Sequence, residues 1–196
     1  MKTKELIDQL DTTLVEQVQR ALAVRQLPAG SLLHRPSPEK WNALEVFEHM
    51  CLSGGIYLRG LERVFDERAD SFPFNPEFSP GLLGGYFTKS MLPKPDGTIG
   101  SRMKTMRIFD PPRNQGAAKE SIDRFIDMCE RFRKLLDRAR TTDLNRMKVT
   151  SSLGPIIRFK AGDAFRFPIA HQQRHFLQLE RTLAVHQADQ RTTTSR

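Results

Sequence analysis

The sequence has only two cysteines and no long hydrophobic run among its 196 residues. No stretch approaches the roughly 18 to 20 consecutive apolar residues that a membrane-spanning helix requires, so the sequence predicts no membrane span. The first residues, MKTKELIDQLDTTL, carry dispersed charges and no apolar block, so no secretory signal peptide is expected. Cys51 and Cys129 lie far apart in apolar helical patterns, which favours buried, reduced thiols of a cytoplasmic protein over a disulfide.

Acidic residues are outnumbered by basic ones, and the formal net charge is +8 at pH 7. Such a charge is compatible with a nucleic-acid partner. However, the 31 basic residues are interspersed with 23 acidic ones rather than gathered into one tract. The densest cluster, RFRKLLDRAR at residues 131–140, is interpreted as a solvated helix face rather than a phosphate-binding strip. With no recognisable nucleic-acid-binding motif, the sequence predicts no nucleic-acid partner.

Apolar residues recur at helical spacing in four long segments, which predicts an all-α protein. The segments cover about residues 4–25, 42–65, 117–140 and 163–186. Short links predict that the first two helices are antiparallel, and likewise the last two. The long middle connection permits the second and third helices to run parallel. Four long helices with one long connection describe a four-helix bundle with a crossover.

The start of two of these helices carries a local signal. Asn42 followed by Glu45 predicts an N-cap and a capping box for the second helix. Asp163 is expected to cap the last helix. Pro168 follows so closely that the first turn is expected to be irregular or the start to be later.

Residues 67–115 lack helical periodicity and contain seven of the twelve prolines. Only residues 79–92, SPGLLGGYFTKSML, have a pattern that suits a short helix. A connection this long indicates a crossover or a functional lid. The sequence therefore predicts one domain over residues 1–188, with 67–115 as a crossover insertion, and a disordered tail at 189–196.

The crossover insertion also carries a basic cluster. Its members are Arg102, Lys104, Arg107 and Arg113. They could hold an anionic cofactor or substrate, but solvated loop charge is the simpler interpretation.

Three histidines carry the candidate chemistry. His171 and His175 stand four residues apart, so they project from one face of the last helix. Two imidazoles so placed can converge on one metal ion, although histidines without any ligand often have the same spacing. His49 lies early in the most apolar helix, and Cys51 faces away from it. We expect the second and last helices to run parallel, which would bring the three imidazoles to similar heights.

Two stretches resemble a known family. Residues 36–50, PSPEKWNALEVFEHM, resemble the start of the second helix in the DinB-like superfamily, where a tryptophan, a small polar cap and a histidine recur. Residues 170–179, AHQQRHFLQL, resemble the closing H-x-x-x-H helix of that superfamily. The resemblance implies an up-down-down-up four-helix bundle, frequently dimeric. It also implies that His49, His171 and His175 hold a divalent ion such as zinc or nickel.

The resemblance further implies a chemistry. Characterised members are mostly transferases that use a low-molecular-weight thiol such as bacillithiol, mycothiol or glutathione, and others are assigned as metal hydrolases. Three neutral imidazoles would leave a coordination position open, where a bound water would become acidic or a thiol would ionise. The expected function is therefore metal-dependent thiol transfer to a small-molecule substrate. A metal-dependent hydrolase and a non-catalytic metal- or ligand-binding bundle are the alternatives, and no further catalytic residue is assigned.

Other polar residues near the histidines are given structural roles. Glu45 caps its helix, with orientation of an imidazole as the alternative role. Trp41 is expected to pack at the end of the bundle as an anchor rather than to contact a ligand. Gln172 and Gln178 are expected to be surface residues. No role is assigned to His34 and His186.

Overall fold

The computed structural model describes residues 1–94, 96–100, 104–111 and 119–194, with the backbone alone over residues 187–194. The described α-helices are α1 (Thr3–Arg25), α2 (Ala29–Leu33), α3 (Ala43–Arg68), α4 (Leu82–Met91), α5 (Glu120–Ala139) and α6 (Ala161–Thr194). Strands β1 (Lys148–Thr150) and β2 (Arg158–Lys160) form a small antiparallel sheet between α5 and α6. The predominance of helix confirms the all-α prediction in its coarse form. Within the described residues, no helix combines the length and the apolar character needed to cross a membrane.

Helices α3 and α5 pack side by side and run in the same direction. Three ion pairs join them: Glu48–Arg124, Glu62–Arg131 and Asp66–Arg138. The residue numbers rise together along the two helices, as they do in a parallel pair. A crossover of about fifty residues makes this possible, because it returns the chain from the end of α3 to the level of its start.

Helix α1 runs antiparallel to α5. Three ion pairs join these two helices: Asp8–Arg140, Asp11–Arg133 and Arg25–Asp123. Residue numbers rise along α1 as they fall along α5. The arginines of the basic cluster at 131–140 lie on a partly exposed helix face, as the interpretation of a solvated face requires, and they also form ion pairs between helices. Each pair is partly exposed, so its contribution to stability is about 0 to 1 kcal/mol.

Helices α3 and α6 run antiparallel, which corrects the expectation that they are parallel. The rings of Phe65 and Phe165 lie 6.0 Å apart, and those of Tyr57 and Phe167 lie 5.3 Å apart. Residue numbers therefore fall along α6 as they rise along α3. The physical reason is that α5 is parallel to α3 and the β1–β2 connection turns the chain back. Helix α6 consequently starts beside the end of α3 and reaches the start of α3 at its own middle.

An aromatic cluster fills the core where the middle of α6 packs against the start of α3. Phe47, Phe125 and Phe176 come from α3, α5 and α6 and are fully buried. Their ring centroids are 5.3 to 6.0 Å apart with steep interplanar angles, the edge-to-face arrangement that aromatic pairs favour. This packing holds α3 and α6 at a defined separation beside the histidines.

The capping box at the start of α3 is present as predicted. The side chain of Asn42 accepts a hydrogen bond from the backbone N–H of Glu45, whose carboxylate accepts from the N–H of Asn42. Arg35 forms an ion pair with the same carboxylate. Glu45 is thus committed to the cap, and its alternative role of orienting an imidazole is not realised.

Asp163 does not cap α6, which starts at Ala161. Its buried carboxylate accepts a hydrogen bond from the backbone N–H of Gly81, at 2.7 Å, and pairs with Arg166. A Cβ at Gly84 would lie 2.6 Å from the Asp163 side chain, so the backbone of α4 packs directly against that side chain of α6. Asp163 therefore joins the crossover to α6, a role that depends on contacts distant in sequence.

The other differences between the predicted and the observed elements each concern one short segment. Helix α4 forms within the predicted segment 79–92, whereas α2 and the β1–β2 hairpin were not predicted. Helix α6 is continuous through Pro168, and its backbone is helical to Thr194, beyond the predicted end near residue 186 and into the segment predicted as a disordered tail. Residues 195 and 196 lie outside the described part of the chain.

Candidate metal centre

His49, His171 and His175 converge from two helices. One ring nitrogen of each lies within 4.8 Å of those of the other two, and these are the residues predicted from the sequence. Nε2 of His171 lies 3.0 Å from Nε2 of His175 and 3.5 Å from Nε2 of His49. Two nitrogens bound tetrahedrally to one zinc ion are separated by about 3.3 Å, given Zn–N distances near 2.0 Å. The three imidazoles are therefore spaced as ligands of one divalent ion would be.

Oxygen acceptors hold two of the rings from behind. Nδ1 of His49 lies 2.8 Å from the carbonyl oxygen of Phe109, and Nδ1 of His175 lies 3.0 Å from Oε1 of Gln178. An oxygen acceptor at this position requires the imidazole proton on Nδ1, because a carbonyl oxygen cannot donate. Nε2 of each ring then keeps its lone pair for a cation, the arrangement found behind metal-bound histidines.

Ser53 lies behind the ring of His171. Its hydroxyl donates to the carbonyl oxygen of His49 one turn earlier, at 2.8 Å, and its oxygen lies 3.5 Å from Nδ1 of His171. The contact with His171 is long, so it orients the ring more weakly than the carbonyl of Phe109 orients His49. All three Nδ1 atoms nevertheless face an oxygen, and all three Nε2 atoms face one another.

Burial favours the neutral form of all three histidines. It lowers the pKa of His49 and lowers that of His175 well below its usual value. Burial also lowers the pKa of His171 to about 3, with further contributions from His49 and Arg174. Neutral imidazoles are the form that binds metals, and three lone pairs directed at one point repel each other unless a cation lies between them. The donor set therefore fits a divalent metal ion.

Trp41 lies against the histidines, in contrast to its predicted role as an anchor at the end of the bundle. Its ring centroid is 4.7 Å from that of His49 and 6.3 Å from that of His175. The indole also lines the cavity next to the histidines. Its position immediately before the Asn42 cap is the signal that places it there, since the cap fixes where the chain enters α3.

Two glutamines of α6 were predicted to be surface residues, and neither is a free surface residue. Gln172 is only 1% exposed, and neither of its amide atoms has a hydrogen-bond partner among the described residues. Gln178 is half-buried and accepts from His175. The sequence carried a signal for Gln172, because it precedes the buried Phe176 by four residues and therefore lies on the same face.

The histidines form part of the wall of a cavity of about 900 Å³. Helices α3 and α6 supply one side, and the crossover supplies the other through Met91, Ile99 and residues 104–107, 109 and 110. Of the predicted basic cluster, Lys104 and Arg107 line the cavity. Arg102 and Arg113 lie outside the described residues. The crossover therefore encloses the histidine site.

Cys51 and the remaining histidines lie away from the triad. Cys51 contacts the carbonyl oxygen of Ser121 on the α5 side, and both cysteines are free thiols. The rings of His34 and His186 lie 4.8 Å apart, between the α2 end and α6. Neither belongs to the group of three histidines.

The chain is mostly helical, and its three convergent imidazoles could hold one metal ion in the wall of a cavity large enough for a small molecule. A family model described as the DinB superfamily matches residues 12–179, and the chain belongs to that superfamily. All three histidines lie within the matched range. Comparisons with curated proteins and with solved structures found no match.

Proposed function

We propose that the protein is a divalent-metal-dependent enzyme that transfers a low-molecular-weight thiol to a small electrophilic substrate. His49, His171 and His175 are the metal ligands, and zinc or nickel is the ion. The observation that carries this proposal is the convergence of three Nε2 atoms while each Nδ1 atom faces an oxygen. The oxygen acceptors place the protons of His49 and His175 on Nδ1, so both rings present an Nε2 lone pair towards Nε2 of His171, where one cation would bind.

A divalent ion on three imidazoles supplies an open coordination position and lowers the pKa of a water or thiol that occupies it. The chain itself provides orientation and a dry environment. The carbonyl oxygen of Phe109 and the amide of Gln178 hold two imidazoles in place. Trp41 packs beside the ring of His49 and Phe167 beside that of His171, so aromatic surface covers part of the site and reduces the access of water.

Thiol transfer is favoured over hydrolysis by the resemblance to the characterised members and by the size of the cavity. A hydrolase needs room for one substrate and a water, whereas a thiol transferase must accommodate two organic molecules. The cavity of about 900 Å³ lies at the upper end of the usual range for ligand pockets. It is therefore large enough for a thiol cofactor beside an electrophile.

We also propose the finer architecture that the family implies. The four long helices α1, α3, α5 and α6 form an up-down-down-up bundle within one domain of residues 1–188. The directions of the ion pairs and ring contacts between these helices support that order. A cytoplasmic location and a homodimer complete the proposal, with the two free cysteines supporting a reducing compartment.

Elemental analysis of tag-free protein, followed by a conjugation assay, tests the function. Zinc- or nickel-loaded protein is incubated with the electrophile monochlorobimane together with one thiol. Bacillithiol, mycothiol and glutathione are tested in separate reactions. Conjugation that requires one of these thiols and is lost in His171→Ala, but not in His186→Ala, is the expected result. Metal-dependent ester hydrolysis without a thiol supports the hydrolase instead. Bound metal with no turnover of either kind supports a non-catalytic bundle.

A further inference from the structure

The charges lining the cavity are predominantly positive. Five cationic side chains contribute to its wall: Lys40, Lys104, Arg107, Arg174 and Arg181. Among the described lining residues, only Glu39 and Asp110 are acidic. The cavity is thus a place where positive charge exceeds negative charge in the structure.

Two of these cations share the helix face that carries the metal ligands. Arg174 lies between His171 and His175 in sequence and is half-buried at the cavity wall. Arg181 lies two turns beyond Arg174, and its guanidinium donates to the backbone carbonyl of Gly97, at 2.9 Å. That carbonyl is neutral, so the contact fixes the position of Arg181 without cancelling its charge. Helix α6 therefore presents two guanidinium groups to the same cavity that His171 and His175 line.

Apolar side chains also form a large part of the wall. Met91, Ile99 and Phe109 come from the crossover side, and Leu153 and Phe167 come from the hairpin and from α6. Apolar surface of this kind gains free energy when it is covered by an apolar part of a ligand. A small inorganic anion would leave that surface in contact with water.

We propose that the cavity binds an organic anion, whose carboxylate or phosphate is held by Arg174 and Arg181. The apolar body of the ligand packs against the crossover wall, and its reactive part lies towards the three imidazoles. Guanidinium groups bind carboxylate and phosphate through paired, charge-assisted hydrogen bonds, which a neutral ligand of the same shape cannot make. The placement of the reactive part rests on the proposed function, whereas binding of the anion does not.

Trp41 provides the readout, because it is the one tryptophan of the sequence and lines the cavity. Its fluorescence is followed while metal-loaded protein is titrated with 4-phenylbutyrate, with phenyl phosphate, and with the neutral analogue 4-phenyl-1-butanol. We expect the dissociation constant of 4-phenylbutyrate to be about tenfold lower than that of the alcohol, the ratio that one charge-assisted hydrogen bond supplies. Tighter binding of phenyl phosphate than of 4-phenylbutyrate would identify phosphate as the preferred anion.

Two variants and one control test the assigned residues. Arg174→Gln and Arg181→Gln are each expected to remove most of the preference for the acid over the alcohol while retaining the metal and the helical circular dichroism. Arg181 is exposed, so its replacement keeps the test valid if Arg174→Gln unfolds. Arg63→Gln, which changes an exposed arginine that does not line the cavity, should leave the preference unchanged.

Metal-free protein separates this inference from the proposed function. The preference for 4-phenylbutyrate is expected to persist without metal, because Arg174 and Arg181 supply it. Equal affinity for acid and alcohol would overturn the inference and leave metal binding intact. A preference that requires metal and survives both arginine replacements would also overturn it, since the carboxylate would then be bound to the ion. Failure of the protein to bind metal while the preference persists would overturn the proposed function alone.

Discussion

Nδ1 of His49 lies 2.8 Å from the carbonyl oxygen of Phe109, a residue of the crossover that is sixty positions further along the chain. The ring that faces the other two histidines is thus oriented by a segment that is not part of the four long helices. Phe109 itself is buried, and the short 3-10 turn Arg107–Phe109 holds its carbonyl in place. The orientation of His49, a proposed metal ligand, and the position of the crossover are therefore linked through one hydrogen bond.

Replacing Phe109 with alanine should weaken metal binding although no ligand is changed. Loss of the buried ring loosens the turn, so the carbonyl no longer holds Nδ1 of His49. Partners behind metal ligands typically contribute about 10- to 100-fold to metal affinity. Competition with a chromogenic chelator measures the change. Ile108→Ala, at the exposed neighbouring position, is the control and should keep normal affinity. Identical metal affinities for the two variants would show that Phe109 does not influence the metal site.

Alanine replacement of His49, His171 or His175 should reduce metal retention sharply, because two remaining imidazoles form a much poorer site. Elemental analysis after dialysis measures the metal content of each variant. His34→Ala and His186→Ala should retain the metal of the unchanged protein, since their rings lie outside the group of three. Retention of metal by all three single variants would refute the assignment of the triad.

The metal-free protein should lose stability as the pH falls below about 6.5. Burial lowers the pKa of His171 from 6.5 to about 3, and it also lowers the pKa of His175. In this window the unfolded chain takes up protons that the folded protein excludes, so the free energy of unfolding decreases. His171 alone accounts for roughly 2 kcal/mol between about pH 6.5 and pH 5.

Urea midpoints of chelator-treated protein at several pH values measure that loss of stability. His171→Gln should give a shallower dependence on pH, because one of the groups responsible is removed. His186→Gln, a replacement on the same helix outside the triad, should give the slope of the unchanged protein. Equal slopes for all three proteins would mean that groups other than the triad control the effect.

Gln172→Met should stabilise the protein. The buried amide of Gln172 lacks a hydrogen-bond partner among the described residues, and such a group costs about 1 to 3 kcal/mol. Methionine has a similar unbranched shape and fills the same space without the cost. Thermal or urea unfolding should show the gain with unchanged metal content. Gln173→Met, at the neighbouring half-buried position, should change stability by less than about 0.5 kcal/mol. A loss of stability in Gln172→Met would indicate that the amide has a partner when the protein is hydrated.

Cys51 and Cys129 should be reduced but slow to react in the native protein. Burial raises the pKa of the Cys51 thiol to about 12 and raises that of Cys129 well above its usual value. Little reactive thiolate is therefore present near neutral pH. Iodoacetamide should modify neither residue in the native state, and titration of denatured, unreduced protein should find two thiols. Titration of fewer thiols before reduction than after it would demonstrate a disulfide.

Local patterns in the sequence determined several features correctly. The Asn42–Glu45 capping box, the helix within residues 79–92 and the helical spacing of His171 and His175 all depend on residues within about one or two turns of each other. Interactions over such short separations have nearly the same geometry in any fold. For this reason His171 and His175 could be paired from the sequence, whereas His49 was added through the expected heights of the helices and the resemblance to the DinB-like superfamily.

Only the tertiary structure decided how these pieces meet. The parallel packing expected for α3 and α6 was wrong, and it also disagreed with the directions expected for the other helix pairs, which together require these two helices to be antiparallel. The helical period identifies a buried face but not the neighbour that covers it, and for this reason the roles of Asp163, Trp41 and Gln172 were missed. The carbonyl of Phe109 carries no side-chain signal at all, since every residue has the same backbone oxygen. Its position behind His49 follows from the path of the crossover, which is set by packing between segments far apart in the chain.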